Sequence, residues 1–323
     1  MNLRIDPELA AVLAELPMDP AGNLGDENMI QLMRSTPEIL AMLGTDLPTD
    51  DRVTVKNAEV PGPPEASSVP VRIYTPKAGA KNKKKPALLY FHGGAFVIGD
   101  MYLEEQRCLR LAADAGCVVF SVDYRLAPEN PFPAGVEDCY GALAWLGSQV
   151  KELGIDIDRI AVGGASAGGA LSAAVAQMAR DRSGVQLAFQ LLIYPVIDDR
   201  METPSMKAFS TTPVWTSGSN AQMWDHYLGV KRDYVSNYAA PGRSNDLADL
   251  PPAYIMTAEL DPLRDEGISY GQRLMQAGVA AELHCFAGAC HGFDLIAPNI
   301  ELSRRALDEQ VLALARALGS SGD

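Results

Sequence analysis

The 323-residue chain is short of positive charge, of long apolar runs and of paired cysteines. Lys and Arg number 27 against 41 Asp and Glu, a formal charge of −14. Contact with nucleic-acid phosphates needs clustered cations that release counterions. The one basic cluster, Lys81, Lys83, Lys84 and Lys85, is short and sits beside Gly79 in a loop-like stretch, so no nucleic-acid partner is expected. No run approaches the ~18 consecutive apolar residues of a membrane span. Asp6, Glu8 and Glu15 stand where a signal peptide would carry a basic start and an apolar run, which makes a cytoplasmic protein the expectation. Cys108, Cys117, Cys139, Cys285 and Cys290 are odd in number, scattered and without CxxC spacing. Neither a disulfide framework nor a zinc site is indicated, and most of these residues read as buried thiols.

What is present is ordinary globular composition, 47% apolar and 21% charged, enough for a sizeable core. Two helical patterns open the chain: Pro7 to Leu16, with Asp6 as N-cap and Pro7 in the first helical position, and Asn28 to Leu43, with Met29, Leu32, Met33, Ile39 and Leu43 as its apolar set. Strand-like runs at Val53 to Val60 and Val69 to Tyr74, joined through the PGPP turn at Pro61 to Pro64, predict an antiparallel edge. From Ala87 onward short apolar runs alternate with amphipathic helices. The runs are Ala87 to Phe91, Val118 to Val122, Ile160 to Val162, Leu187 to Ile193, Ala253 to Met256 and Ala281 to Phe286. The intervening helices are expected over 104–115, 135–153, 167–182, 263–277 and 300–318. That rhythm specifies a mostly parallel sheet with helices on both faces. Between Asp198 and Leu250 it breaks, and a stretch with Trp215, Trp224, Tyr227, Tyr234 and Tyr238 reads as an insertion.

Gly164-Ala165-Ser166-Ala167-Gly168 lies directly after one apolar run and directly before a helical one. A sharp strand-to-helix turn holds a nucleophile in strained backbone, and small residues two positions either side keep it free of clashes, so this is a GxSxG nucleophile elbow in its required context. A serine hydroxyl needs a base. Of the four histidines, His284 lies inside a strand-like run and His226 among the aromatics of the insertion. His291 sits just past a strand end between glycines, in Gly288-Ala289-Cys290-His291-Gly292, where α/β proteins place chemistry. Asp261, following Ala253 to Met256, is the best placed acid to orient that imidazole. Glu259 is its rival, while Asp265 and Glu266 fall in the first turn of a helix, where acids suit the dipole. The order Ser166, Asp261, His291 agrees with this architecture. Oxyanion donors are expected from the turn His92-Gly93-Gly94-Ala95-Phe96 and from the amide of Ala167.

These residues resemble the hormone-sensitive-lipase-like esterases of the α/β-hydrolase superfamily. The matching elements run in order from HGGAF at 92–96 through YRLAPE at 124–129, GGASAGG at 163–169, YPVIDDR at 194–200 and DPLRDEG at 261–267 to CHGF at 290–293. The resemblance implies an α/β-hydrolase fold with a mostly parallel eight-stranded sheet. A helical cap would come from residues 1–48 and an insertion at 200–245, over a catalytic domain of 49–199 and 246–323. It also implies Ser166, Asp261 and His291 as nucleophile, acid and base, with Gly93, Gly94 and Ala167 as oxyanion donors. Ala95 replaces the third glycine of the commoner HGGG, and which two amides among Gly93, Gly94 and Ala95 point inward is left open. Ala165 in place of the elbow aspartate resembles the GTSAG-like branch.

The implied activity is hydrolysis of small-molecule carboxylic esters through an acyl-enzyme, without metal or organic cofactor, with a homodimer as the family-like assembly. The apolar set near Met33 points to a finite pocket and to acyl chains of roughly four to eight carbons. An amidase or deacetylase with the same triad is an alternative, as is a ligand-binding receptor on this fold, as in the plant gibberellin receptors. Such receptors replace the histidine that this chain retains at His291.

Overall fold

The central strands carry short runs of buried apolar residues whose alternate side chains feed two separate cores, one on each face of the sheet. The computed structural model describes residues 4–16, 24, 30–31, 33–37, 40, 46–64, 66, 68–78, 84–229 and 234–319. Its eight strands are β1 (Val53–Pro61), β2 (Ser68–Pro76), β3 (Lys85–Phe91), β4 (Val118–Val122), β5 (Ile155–Ala165), β6 (Phe189–Ile193), β7 (Ala253–Leu260) and β8 (Ala281–Cys290). They form one sheet in the order β1-β2-β4-β3-β5-β6-β7-β8. β1 pairs antiparallel with β2, and β2 with β4; every other pairing is parallel. The expected antiparallel edge is thus present.

Leu89 and Phe91 join one core with Val136, Leu143, Leu171 and Leu274, from the helices Ala134–Ser148, Ala167–Asp181 and Arg264–Gln276. Leu88 and Tyr90 join the other with Leu111, Ala112, Ala313 and Leu314, from Glu105–Ala115 and Glu301–Ala317. Helices on both faces of a mostly parallel sheet place ligand chemistry where strand order reverses. Here that point lies between β3 and β5, because the chain runs from β3 outward to β4 and then returns to β5 on the other side of β3.

Several boundaries differ from the sequence reading. The helix expected over 135–153 is two, Ala134–Ser148 and Val150–Leu153, the second closed by Gly154 at φ 66. β7 and β8 extend beyond their apolar runs to Leu260 and Cys290, with a register shift between Ala258 and Leu260. The first helix forms over Pro7–Glu15, where Asp6 Oδ1 accepts the amides of Glu8 and Leu9 at 3.0 and 3.1 Å. Of the second expected helix, Met29, Leu32, Ile39 and Leu43 lie outside the described residues, as do Lys81 and Lys83. Between β6 and β7 come the helices Pro204–Ala208 and Ser217–Leu228 and a 3-10 turn at Pro241–Arg243. Cys108, Cys117, Cys139 and Cys290 are buried and Cys285 is exposed, all as free thiols. No helix among the described residues is long and apolar enough to cross a membrane.

Candidate active site

β5 ends at Ala165 and the helix Ala167–Asp181 begins one residue later, so Ser166 alone makes the turn. Its φ of 57° and ψ of −116° lie outside the ordinary regions for a residue with a side chain. The turn is possible because its neighbours are bare: a Cβ on Gly168 would overlap the Phe91 carbonyl oxygen at the end of β3, and one on Gly164 would overlap the same atom.

The sheet brings the three expected residues together from the ends of different strands. His291 Nε2 lies 3.0 Å from Ser166 Oγ, and His291 Nδ1 lies 2.7 Å from Asp261 Oδ2. Asp261 is fully buried, while Ser166 and His291 keep 8% and 7% exposure on the cavity side. The second Asp261 oxygen accepts the Leu263 amide at 2.9 Å, fixing the carboxylate plane. The imidazole is flanked by the Tyr194 ring at 4.8 Å edge-on and by Trp215 at 5.8 Å. Burial raises the Tyr194 phenol well above its ordinary pKa, so it stays a neutral donor to Asp294 Oδ1 at 2.8 Å.

The rivals are occupied elsewhere. Glu259, at the β7 register shift, accepts the Gly288 amide at 2.7 Å. Asp265 accepts the Ser205 amide at 2.7 Å. Glu266 accepts the amides of Ile197 and Asp198, and burial pushes its carboxyl well above the usual range. His284 Nδ1 pairs with Glu309, and His226 Nε2 meets the Leu24 carbonyl. His92 stacks on Tyr124 at 4.3 Å, and its Nδ1 lies 2.6 Å from the Gly93 carbonyl oxygen, so it braces the turn.

One expected oxyanion donor has a hydrogen-bond partner within the protein. The Gly93 amide donates to Glu104 Oε1 at 2.9 Å and is spent there. The amides of Gly94 and Ala95, which follow at φ 107° and 58°, meet no acceptor among the described residues. Ala167, the first residue of its helix, has an amide that no turn of that helix can satisfy.

A cavity of about 270 Å³ opens onto Ser166 and His291. Leu24 and Met33 come to it from the N-terminal segment, Val214 and Trp215 from the segment between β6 and β7, Ile98 and Leu103 from the segment after β3, and Leu295 and Ile296 from the short helix Phe293–Ile296. Trp224, the other insertion tryptophan, is instead fully buried near Phe96 and Tyr227. Sequence reasoning did not single out Ile98, Leu103 or Val214 as cavity residues, because nothing in their local pattern distinguishes a cavity wall from a core. Nor did it find Glu104, an acid beside a helix start.

The family model of the alpha/beta hydrolase fold matches residues 88–295. Esterase LipI of Mycobacterium tuberculosis is 38% identical over 311 residues, spanning 96% of this chain and 94% of that protein. Ethyl acetate hydrolase of Pseudomonas putida is 35% identical over 255 residues, 79% of this chain and 80% of that one. Among solved structures, a bacterial heroin esterase superposes with a TM-score of 0.90 at 43% identity, over 98% of each chain. With its elbow, its sheet order and likenesses that span up to 98% of its length, the chain belongs to the α/β-hydrolase family as an esterase of the hormone-sensitive-lipase-like branch.

Proposed function

We propose that the protein cleaves short- to medium-chain acyl esters by a Ser166, His291, Asp261 mechanism with an acyl-enzyme intermediate. The observation that carries this reading is the relay of 3.0 Å from Ser166 Oγ to His291 Nε2 and 2.7 Å from His291 Nδ1 to Asp261 Oδ2. Asp261 keeps the imidazole proton on Nδ1, which leaves Nε2 free to accept the serine proton. Ser166 Oγ then attacks the ester carbonyl, and His291 returns the proton to the leaving alcohol. Water, deprotonated by the same Nε2, releases the acid.

The carbonyl oxygen gains charge in both steps and needs preorganised donors. Gly94, Ala95 and Ala167 supply them in this reading, since the Gly93 amide is engaged by Glu104. The Ala167 amide adds the positive end of the helix Ala167–Asp181. Residues 1–48 and 200–245 act as a cap on the hydrolase body of 49–199 and 246–323. Support comes from Leu24, Met33, Val214 and Trp215, which reach the same cavity as Ser166.

The cavity, at about 270 Å³, is small beside the ~300–1,000 Å³ of drug-sized pockets, which supports acyl chains of roughly four to eight carbons. The test is a series of p-nitrophenyl esters from two to sixteen carbons, with the matching anilides, on one preparation. The expected result is a kcat/KM maximum at four to eight carbons by that pocket-filling argument, with anilides at least ~100-fold slower than esters. Anilides turned over as fast as esters would make the protein an amidase, and a maximum at long chains would remove the finite pocket.

A further inference from the structure

Glu104 stands just before the helix Glu105–Ala115 and is 4% exposed, yet it carries a carboxylate into the wall of the Ser166 cavity. Its two oxygens are fully committed to protein. Oε1 accepts the Gly93 amide at 2.9 Å, and Oε2 accepts the Tyr90 hydroxyl at 2.6 Å and Arg107 Nε at 2.7 Å. Arg107 continues the chain of contacts by donating from Nη1 to Asp294 Oδ2 at 3.0 Å and to Gln310 Oε1 at 2.7 Å. Asp294 belongs to the short helix Phe293–Ile296 that follows His291, and its other oxygen accepts the Tyr194 hydroxyl beside the imidazole.

Buried charge is costly unless each lone pair finds a donor, and a network with every member paired fixes one geometry. Tyr90 and Arg107 alone would satisfy Oε2. The bond to Gly93 is a separate commitment with a separate consequence, since it sets the peptide plane from which the chain turns into Gly94. That turn has no slack: Gly94 sits at φ 107°, and a Cβ there would overlap the Ile98 carbonyl.

We propose that Glu104 is a positioning residue for ester hydrolysis: by holding the Gly93 amide it aims the Gly94 and Ala95 amides at the developing oxyanion. Glu104 itself touches no reacting atom. The proposal rests on the reading of Ser166 as nucleophile and of Gly94 and Ala95 as donors.

Two conservative variants separate positioning from simple charge pairing. Glu104→Asp keeps the charge for Arg107 but withdraws the acceptor from Gly93 by one methylene. Glu104→Gln keeps the reach and an acceptor oxygen for the Gly93 amide, but gives up the charge and turns an amide nitrogen toward the Tyr90 and Arg107 donors. The readouts are kcat and KM on p-nitrophenyl butanoate, and the Ki of a butyl trifluoromethyl ketone, which becomes an oxyanion only on attack by Ser166.

Misaligned donors cost transition-state stabilisation, so kcat of Glu104→Asp should fall about 10- to 100-fold with KM within about threefold. The ketone Ki should rise by about the factor lost in kcat/KM, as for any transition-state mimic. Glu104→Gln should keep kcat within about fivefold of wild type. Glu104→Met, of similar length with no oxygen acceptor, gives a second measure of the loss if the aspartate variant does not fold. A folded Glu104→Gln that loses more than Glu104→Asp or Glu104→Met, or a kcat loss with the ketone Ki unchanged, would overturn the proposal. Wild-type enzyme that the ketone fails to inhibit would instead overturn the nucleophile reading, leaving the two failures distinct.

Discussion

Asp261 Oδ2 lies 2.7 Å from His291 Nδ1, and the fully buried carboxylate is held on its other side by the Leu263 amide. Glu259 and Asp265, close in sequence, spend their carboxylates on the Gly288 and Ser205 amides. Asp261→Asn should therefore lower kcat by about 10³- to 10⁴-fold, because an amide facing Nδ1 favours the wrong tautomer. Glu259→Gln and Asp265→Asn should each stay within about tenfold of wild type. Assays of the three on p-nitrophenyl butanoate check the ranking, and a larger loss in Glu259→Gln than in Asp261→Asn would remove the assignment.

Gly168 and Gly154 differ in what a methyl group would meet. At Gly168 a Cβ would overlap the Phe91 carbonyl, whereas at Gly154, with φ 66°, nothing lies within 4 Å. Gly168→Ala should destabilise the fold by about 3 kcal/mol or more through overpacking. Gly154→Ala should cost only about 1 kcal/mol of backbone strain. Urea unfolding of both variants measures the contrast, and equal midpoints would contradict the packing of β3 against the elbow.

Arg34 ties the N-terminal segment to the core with a fork on Glu129 at 2.8 and 2.7 Å. That hydrogen bonding holds the Glu129 carboxyl down to about 2 from 4.5. A depressed carboxyl stabilises the folded form above its unfolded pKa and loses that contribution as pH falls toward the folded value. The Glu129 side chain is 53% exposed, so screening limits the pair to about 0.5–1 kcal/mol. Glu129→Gln should cost that much at pH 7, and the gap to wild type should narrow as pH falls from 4.5 toward about 2. A gap constant with pH would show that charge is not its source.

Trp215 leans over His291 and donates from Nε1 to Asn220 Oδ1 at 3.3 Å, which fixes one cavity wall. Trp215→Ala should move the best acyl chain upward by about two to four carbons and raise KM for the butanoate about three- to tenfold. An unchanged chain-length profile would make Trp215 scaffolding and not pocket wall.

The sheet was legible from its buried strands, because runs such as Val118–Val122 and Phe189–Ile193 face apolar cores on both sides and carry only one polar residue each, the buried Ser121 and Gln190. The elbow was legible because its small residues are forced by Phe91, a clash that only glycine avoids. Strand ends were less so: β5 begins at Ile155, five residues before its apolar run, because Ile155 pairs with Lys85 across an irregular register that polar residues between them conceal. The bond that engages the Gly93 amide was not legible, for a physical reason. Its partner Glu104 reads locally as an acid suited to a helix start, and only the chain path between β3 and β4 folds it back onto the turn.

The central claim is that Ser166 carries the acyl group, and Ser166→Ala tests it most directly. Without the nucleophile only the oxyanion donors and binding remain, so turnover of p-nitrophenyl butanoate should drop at least about a thousandfold. The far-UV spectrum and unfolding midpoint should stay close to wild type. Purified Ser166→Ala that hydrolyses the ester within tenfold of the wild-type rate would contradict the account.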